Sequence, residues 1–498
     1  SKQQTKSNHQ CEHSVCLCGQ FFTGELYERS IARATTRSPT PTALHFEAAP
    51  QIKMHNPTYS TSKQPRAHQR ILLYCVLFLS GGGFATADKF CLRQLSDGLY
   101  RPVALELVGN QAFVAEHHGK IRQVDLTSGH HHPVVDLSSR ILTSTSWMDH
   151  RGLLSLRFIN ASTATADFGA SAETADATRL NGLTPTLLVS SSRVSHDPAA
   201  DHDTVVTALP ISQQGEILAD QEYELVRVAQ PSSRYNGGQL LSRSAQGLRT
   251  SRQRTGNVDD GHADRRILYL TTGDGAMKHN ESTRFDPKTL TGKILRMTLR
   301  FDGAQSNDGI RRDGPALAVS KPEIFASGFR NPWRCAIDNR ASTTDAGLEQ
   351  LFCGDTAIGP HPEEEIFLVR YGGRYGHPEG GTIADETPIY RYQLAAGNAV
   401  IGGLVYRGTQ LPNMKDAFVF GDYVSGNIFA LREHPSSTEQ WQVEELQLRW
   451  CPAKDSDSAN KAVGEESESR PNLHIVAFAQ DNEGWPINSN KSCVNNSG

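Results

Sequence analysis

Three adjacent carboxylates, Glu363 to Glu365, sit in GPHPEEEIFLVRYGGRYG (Gly359 to Gly376), ahead of a strand-like run and a second Gly-rich turn. Calcium takes carboxylate and backbone carbonyl oxygens, which irregular Gly/Pro turns present well; a solvated acidic turn would use the same residues without a metal. In GFRNPWRC (Gly328 to Cys335), Asn331 precedes Pro332 and is held extended. Arg330 beside it can receive an anion through its guanidinium or stack on Trp333 as packing. SSRYNGGQLL (Ser232 to Leu241) holds an Asn-Gly-Gly turn with Tyr235 before it at a loop tip, and LTTGDG (Leu270 to Gly275) is a strand entering a turn. Histidines gather in EHHG (116–119) and GHHHP (129–133). Neighbours in a strand point to opposite faces, so loop histidines fit better than a zinc site. No G-x-S-x-G, Walker or Rossmann pattern is present, which counts against hydrolase and nucleotide chemistry.

The elements that must position these residues are short and β-like. Ala112–Glu116, Ile121–Val124, Ile267–Leu270, Ile294–Met297, Glu365–Val369, Gly403–Tyr406, Phe418–Phe420, Ile428–Leu431 and His474–Phe478 recur between turns rich in Gly, Asn and Asp. That is the pattern of an all-β chain. Two units rhyme, FVAEHHGKIRQV (113–124) and FVFGDYVSGNIFAL (418–431), each a strand, an acidic residue, a Gly-containing turn and a strand. Repeated antiparallel units predict propeller blades, with a β-sandwich pair as the rival. Residues 160–185, 242–266 and 453–470 have too little apolar content to pack and are expected as surface insertions.

The 498 residues carry a net charge of −4, but residues 1–87 hold nine Lys/Arg against four Asp/Glu, a net +5 that leaves −9 on the rest. That balance argues against a nucleic-acid partner. Basic residues from Arg66 to Arg70, the apolar run Ile71 to Leu79, a Gly break and Ala85-Thr86-Ala87 read as a secretory signal. The run is too short to span a bilayer, which takes about 20 residues, although a buried strand would use it too. The expected division is therefore 1–53 as a disordered upstream extension, 54–87 as a signal-peptide region with Met54 as initiator, and 88–498 as the secreted, extracellular fold. Cys11, Cys16 and Cys18 lack a second ligand pair at finger spacing. Cys335 and Cys353 flank a polar loop between strand-like segments and are expected to pair. Sequons at Asn160, Asn280, Asn490 and Asn495 are compatible with secretion.

Seven of these motifs stand in a fixed order: GLLSLRF (152–158), YNGGQLL (235–241), LYLTTGDG, TGKILRM (291–297), GFRNPWRC, GPHPEEEI and GGRYGHP. The chain from about Cys91 to Gly484 thereby resembles the quinoprotein glucose/sorbosone dehydrogenase family. CLRQLSDGLYRPVAL, the Cys335/Cys353 pair, GGLVYRG and FVFGDYVSGNIFAL resemble its Hedgehog-interacting-protein-like branch. The resemblance implies a six-bladed β-propeller with a ligand site at one mouth of the axis. In working members pyrroloquinoline quinone (PQQ) sits there on a calcium ion, and a histidine takes the proton from the sugar's anomeric hydroxyl as hydride passes to the quinone. It further implies carbonyls of Gly359 and Pro360 on the cofactor's calcium and Arg330 and Asn331 against the quinone. A structural calcium would lie at Glu365, Tyr375 (by its carbonyl) and Asp385.

The departures matter as much. Tyr235 stands where the family keeps its catalytic histidine, and a phenol (pKa near 10) accepts protons poorly at neutral pH beside an imidazole (near 6.5). The loop Asp422–Gly426 lacks the expected lysine, and His474 and Val476 fall where two arginines are expected. Losing the base and these cations points to weakened quinone chemistry and to binding of an extracellular protein or sugar ligand. The alternative is an active PQQ-dependent aldose dehydrogenase whose base has moved to His150 or His117.

Overall fold

The computed structural model describes residues 14–20, 71–78, 90–146, 149–159, 185–212, 214–244, 265–275, 281–301, 317–338, 350–356, 363–376, 386–393, 399–407, 412–434, 437–450 and 473–480. Gly359, Pro360, Asp385, all four sequons and nearly all of the three insertions lie outside them.

Among the described residues the strands form six sheets. The first holds Pro102–Val108, Gln111–Glu116, Lys120–Asp125 and His131–Asp136, and the second holds Leu153–Ile159, Thr186–Arg193, His202–Pro210 and Tyr223–Gln230. The third runs Gly237–Ser244, Arg265–Thr272 and Lys293–Phe301, with Leu317–Val319 and Glu323–Ser327 both pairing to the last. Cys335–Ile337, Gln350–Thr356, Glu364–Arg370 and Tyr390–Tyr392 make the fourth; Val400–Val405, Phe418–Asp422, Ile428–His434 and Ser437–Glu445 make the fifth. The two rhyming motifs are the second and third strands of the first and fifth sheets, equivalent places in the two units.

Each sheet's first strand lies against that of the next, and His474–Gln480 of the sixth lies against both Val400–Val405 and Pro102–Val108, closing a ring. Six apolar clusters follow, one at each seam between neighbouring sheets. A middle strand therefore packs on both faces. Thr186 to Ser192 are all buried, and the alternation of a one-sided strand is lost there.

The sixth sheet orders His474–Gln480, Ser14–Gln20, Ile71–Phe78, Phe90–Leu99 and Leu448–Trp450, the last pair parallel. The sequence reading differs at two places. Ile71–Phe78 is a strand where a leader is expected, and Ser14–Gln20 is a strand within the extension expected to be disordered. An apolar run of eight can pair along the open hydrogen-bonding edge of a sheet. The disulfide Cys335–Cys353 joins register partners of the fourth sheet, as the flanked loop implied. Among the described residues no helix is long and apolar enough to cross a membrane, which says nothing of a β-barrel.

Candidate functional site

Loops from the first four sheets converge beside the axis. Tyr235 has φ +51°, the left-handed region that a bulky side chain seldom adopts, and Gly237 and Gly238 follow at +62° and +93°. Three neighbours hold this turn. The Tyr235 N–H donates to His150 Nδ1 (3.1 Å), the Gly237 N–H to Asn331 Oδ1 (3.2 Å), and the Gly275 N–H to the Tyr235 carbonyl (3.3 Å). Gly273 is a glycine for a reason of space. A Cβ on it would lie 1.7 Å from the Tyr235 carbonyl oxygen.

Arg330 lies over the Tyr235 ring, 4.7 Å from its centre, with Nη2 3.4 Å from the phenol oxygen. The stacking partner of Trp333 is instead Arg334, at 4.4 Å. Asp355, opposite Glu365 in the fourth sheet, takes the N–H groups of Arg330 (2.9 Å) and Asn331 (2.6 Å), which fixes the loop that carries both. The structure thus brings Tyr235, Arg330 and Asn331 together.

The two histidines considered as relocated bases are poorly placed to act. His150 packs edge-on to Tyr235 at 5.7 Å. Its Nδ1 is occupied as an acceptor, and burial holds its pKa below the usual value. The neutral ring therefore carries its proton on Nε2 and presents a donor. His117 is buried with its Nδ1 3.3 Å from Thr143 Oγ1; burial, then Arg101, depress its pKa to about 3. Its ring fills the space a side chain at Gly152 would need.

Sequence reasoning missed Arg101. Its Nη1 donates to the Ser144 carbonyl at 2.7 Å, and its charge acts on both His117 and Tyr423. A cation from the strap ahead of the first sheet thus stands near the Asp422–Gly426 loop, which has none of its own. His474, in the place of an expected arginine, meets the Tyr423 carbonyl at 2.9 Å. The signal for Arg101 was its position before Pro102, at the entry to the first inner strand.

Of the expected calcium ligands, Glu365 and Tyr375 are described and buried. Glu365 pairs with Arg391 at 3.1 Å. The donors are oxygens, as a hard cation requires, and burial first of all pushes the neighbouring Asp355 and Glu364 each up to about 7. The residues fit a calcium ion that displaces the half-exposed Arg391 guanidinium from Glu365. Among the described residues no three His, Cys, Asp or Glu gather as metal ligands, so the site would need the carbonyl of Tyr375 and Asp385. The quinone fits less well, since Asn331 Oδ1 is already engaged by the turn and His150, the imidazole packed on Tyr235, has its acceptor nitrogen occupied.

The sequence model of the Glucose / Sorbosone dehydrogenase family matches residues 219–449. Mouse (Mus musculus) Hedgehog-interacting protein is 25% identical over 82% of this chain and 52% of its own length, so the chain spans about half of that relative. The HIPL2 protein of Arabidopsis thaliana is 27% identical over 43% of this chain and 35% of itself. The PQQ-bound aldose sugar dehydrogenase of Streptomyces coelicolor superposes with a TM-score of 0.44 at 16% identity, covering 71% of this chain and 83% of that one. Residues 219–449 thus carry a glucose/sorbosone dehydrogenase-like domain, and the chain is similar to Hedgehog-interacting-protein-like proteins.

Proposed function

We propose that this chain is a secreted, calcium-stabilised propeller that binds an extracellular protein or sugar ligand at the axial mouth and does not oxidise sugars efficiently. One observation carries the reading. The group nearest Tyr235 that could replace the missing base, His150, spends its acceptor nitrogen on the Tyr235 backbone. What remains beside the tyrosine ring is a pair of donor groups, the Arg330 guanidinium and the His150 Nε2–H. Such a surface favours an acceptor-rich partner group. The name of the mouse relative, a Hedgehog-interacting protein, supports a protein partner; the description of the matched family model, Glucose / Sorbosone dehydrogenase, supports a sugar.

The test is dye reduction by the recombinant chain with aldose, calcium and PQQ. Turnover is expected at the cofactor-free background, and Tyr235→His is expected to stay there, because no second residue completes the site. Aldose-dependent turnover well above background would establish the dehydrogenase instead.

Calcium has its own readout. Chelation is expected to lower the melting temperature by a few degrees, and Glu365→Gln to remove that response. A melt indifferent to chelator eliminates the ion from this reading.

A further inference from the structure

The seam between the second and third sheets changes character along its length. Away from the mouth it is apolar, with Leu188, Val206, Val226 and Val228 packed on Leu240, Leu268, Leu270 and Leu295. Towards the mouth the same face of the second sheet turns polar. Register places Ser192 opposite Thr204, His202 opposite Gln230 and Ser190 opposite Val206, so all five polar residues share that face. All five are fully buried.

Only part of their hydrogen-bonding capacity is used. Gln230 Nε2 donates to Thr204 Oγ1 at 3.1 Å, and His202 Nδ1 meets Asp201 Oδ1 at 3.0 Å. Burial keeps the His202 ring neutral, so the bond to Asp201 places its proton on Nδ1 and leaves Nε2 an acceptor. Four atoms, Ser190 Oγ, Ser192 Oγ, Gln230 Oε1 and His202 Nε2, have no hydrogen-bond partner among the described residues. Two are hydroxyls able to donate or accept, and two are acceptors.

The third sheet does not supply what they lack. Its Leu240 N–H goes to Ser155 Oγ, Thr272 Oγ1 is engaged by the Leu290 and Lys293 carbonyls, and Lys293 Nζ donates to the carbonyls of Thr283, Arg284 and Thr291. Native interiors rarely leave several such atoms unmatched, and buried water with about three bonds is the usual remedy.

We propose that this face is a binding site for ordered water, held by Ser190, Ser192, Gln230 and His202 at the mouth end of the seam. Water suits the site better than a metal cation, because the adjoining carboxylates among the described residues are engaged, Asp201 by Arg151 (3.2 Å) and His202, and Asp149 by Arg151 (2.7 Å). Gln230 ends its strand, and the loop that follows carries Tyr235, so the mouth loop is rooted on this hydrated seam.

The inference does not depend on the proposed function. It is tested by a high-resolution crystal structure of the full chain together with the melting temperature of the Ser190→Ala/Ser192→Ala double variant. A solvent peak is expected at about 2.7–3.2 Å from at least two of the four atoms. The variant should melt roughly 2–8 °C lower, as lost water bonds require. Overturning results are an empty seam in the crystal, a variant that melts at or above the parent, or a peak that rubidium replaces. The parent crystal decides the matter should the variant fail to fold.

Discussion

Arg334→Met is expected to lower the melting temperature by about 4–6 °C, the equivalent of about 3–5 kcal/mol. Arg334 precedes the first strand of the fourth sheet and is buried. Its Nη2 donates to the carbonyls of Val103 in the first sheet and Leu154 in the second, and its Nη1 to that of Trp333. Trp333 beneath it reaches the Val476 carbonyl of the sixth sheet at 3.4 Å, and a Cβ on Gly402 of the fifth would lie 1.7 Å from the Arg334 carbonyl oxygen. One arginine thus ties sheets across the axis that share no strand pairing. Methionine matches its bulk and none of its bonds, leaving buried carbonyls unmatched. Arg334→Lys should recover only part of the loss, because a single ammonium nitrogen cannot reproduce donors spread over Nη1 and Nη2. Urea and thermal melts of both variants check this; a change under about 1 kcal/mol in each would remove the tie from the account of stability.

A difference between parent and His117→Asn that opens between pH 6.5 and 4.5, the parent losing more stability on acidification, is the second large effect expected. The His117 pKa is depressed to about 3 by burial, then by Arg101, with Asp149 opposing and His150 and His118 adding to the depression. An unfolded histidine titrates near 6.5, so below that pH the unfolded chain binds the extra proton. The stability this histidine contributes is complete above 6.5 and is lost as pH falls towards 3. The loss by pH 4.5 is on the order of 2–3 kcal/mol. Asp355 and Glu364 act with the opposite sign, since their pKa values near 7 confer stability that fades as pH rises through neutrality. The measurement is therefore the difference between parent and variant at each pH. A constant difference from pH 7 to 4.5 would count against a neutral buried His117.

Much of the fold was legible because strands announce themselves. FVAEHHGKIRQV and FVFGDYVSGNIFAL alternate and turn alike, and they occupy like places. The meeting of Tyr235 with Arg330 and Asn331 was not legible in spacing, since 95 positions separate the first two; it came from the order of motifs in a family. Arg334 was invisible as an axial tie. A charged residue beside a tryptophan reads as a surface pair, and only ring closure turns it inward. Arg101 was missed for the same reason, and Ile71–Phe78 has a composition that suits a leader and a strand equally.

The sixth sheet has a kinetic consequence. Phe90 lies opposite Leu448, partners drawn from remote parts of the chain. Every other sheet is assembled from consecutive strands and can form locally. The entropy of closing so long a loop is recovered only once the remaining sheets stand, so this sheet should be the last to form and the first to part. Amide exchange should then find its pairing less protected than that of the second sheet, and uniform protection around the ring would contradict it. Joining Phe90–Leu99 to Leu448–Trp450 works as a latch, and how long the folded ring persists depends on how often that latch opens.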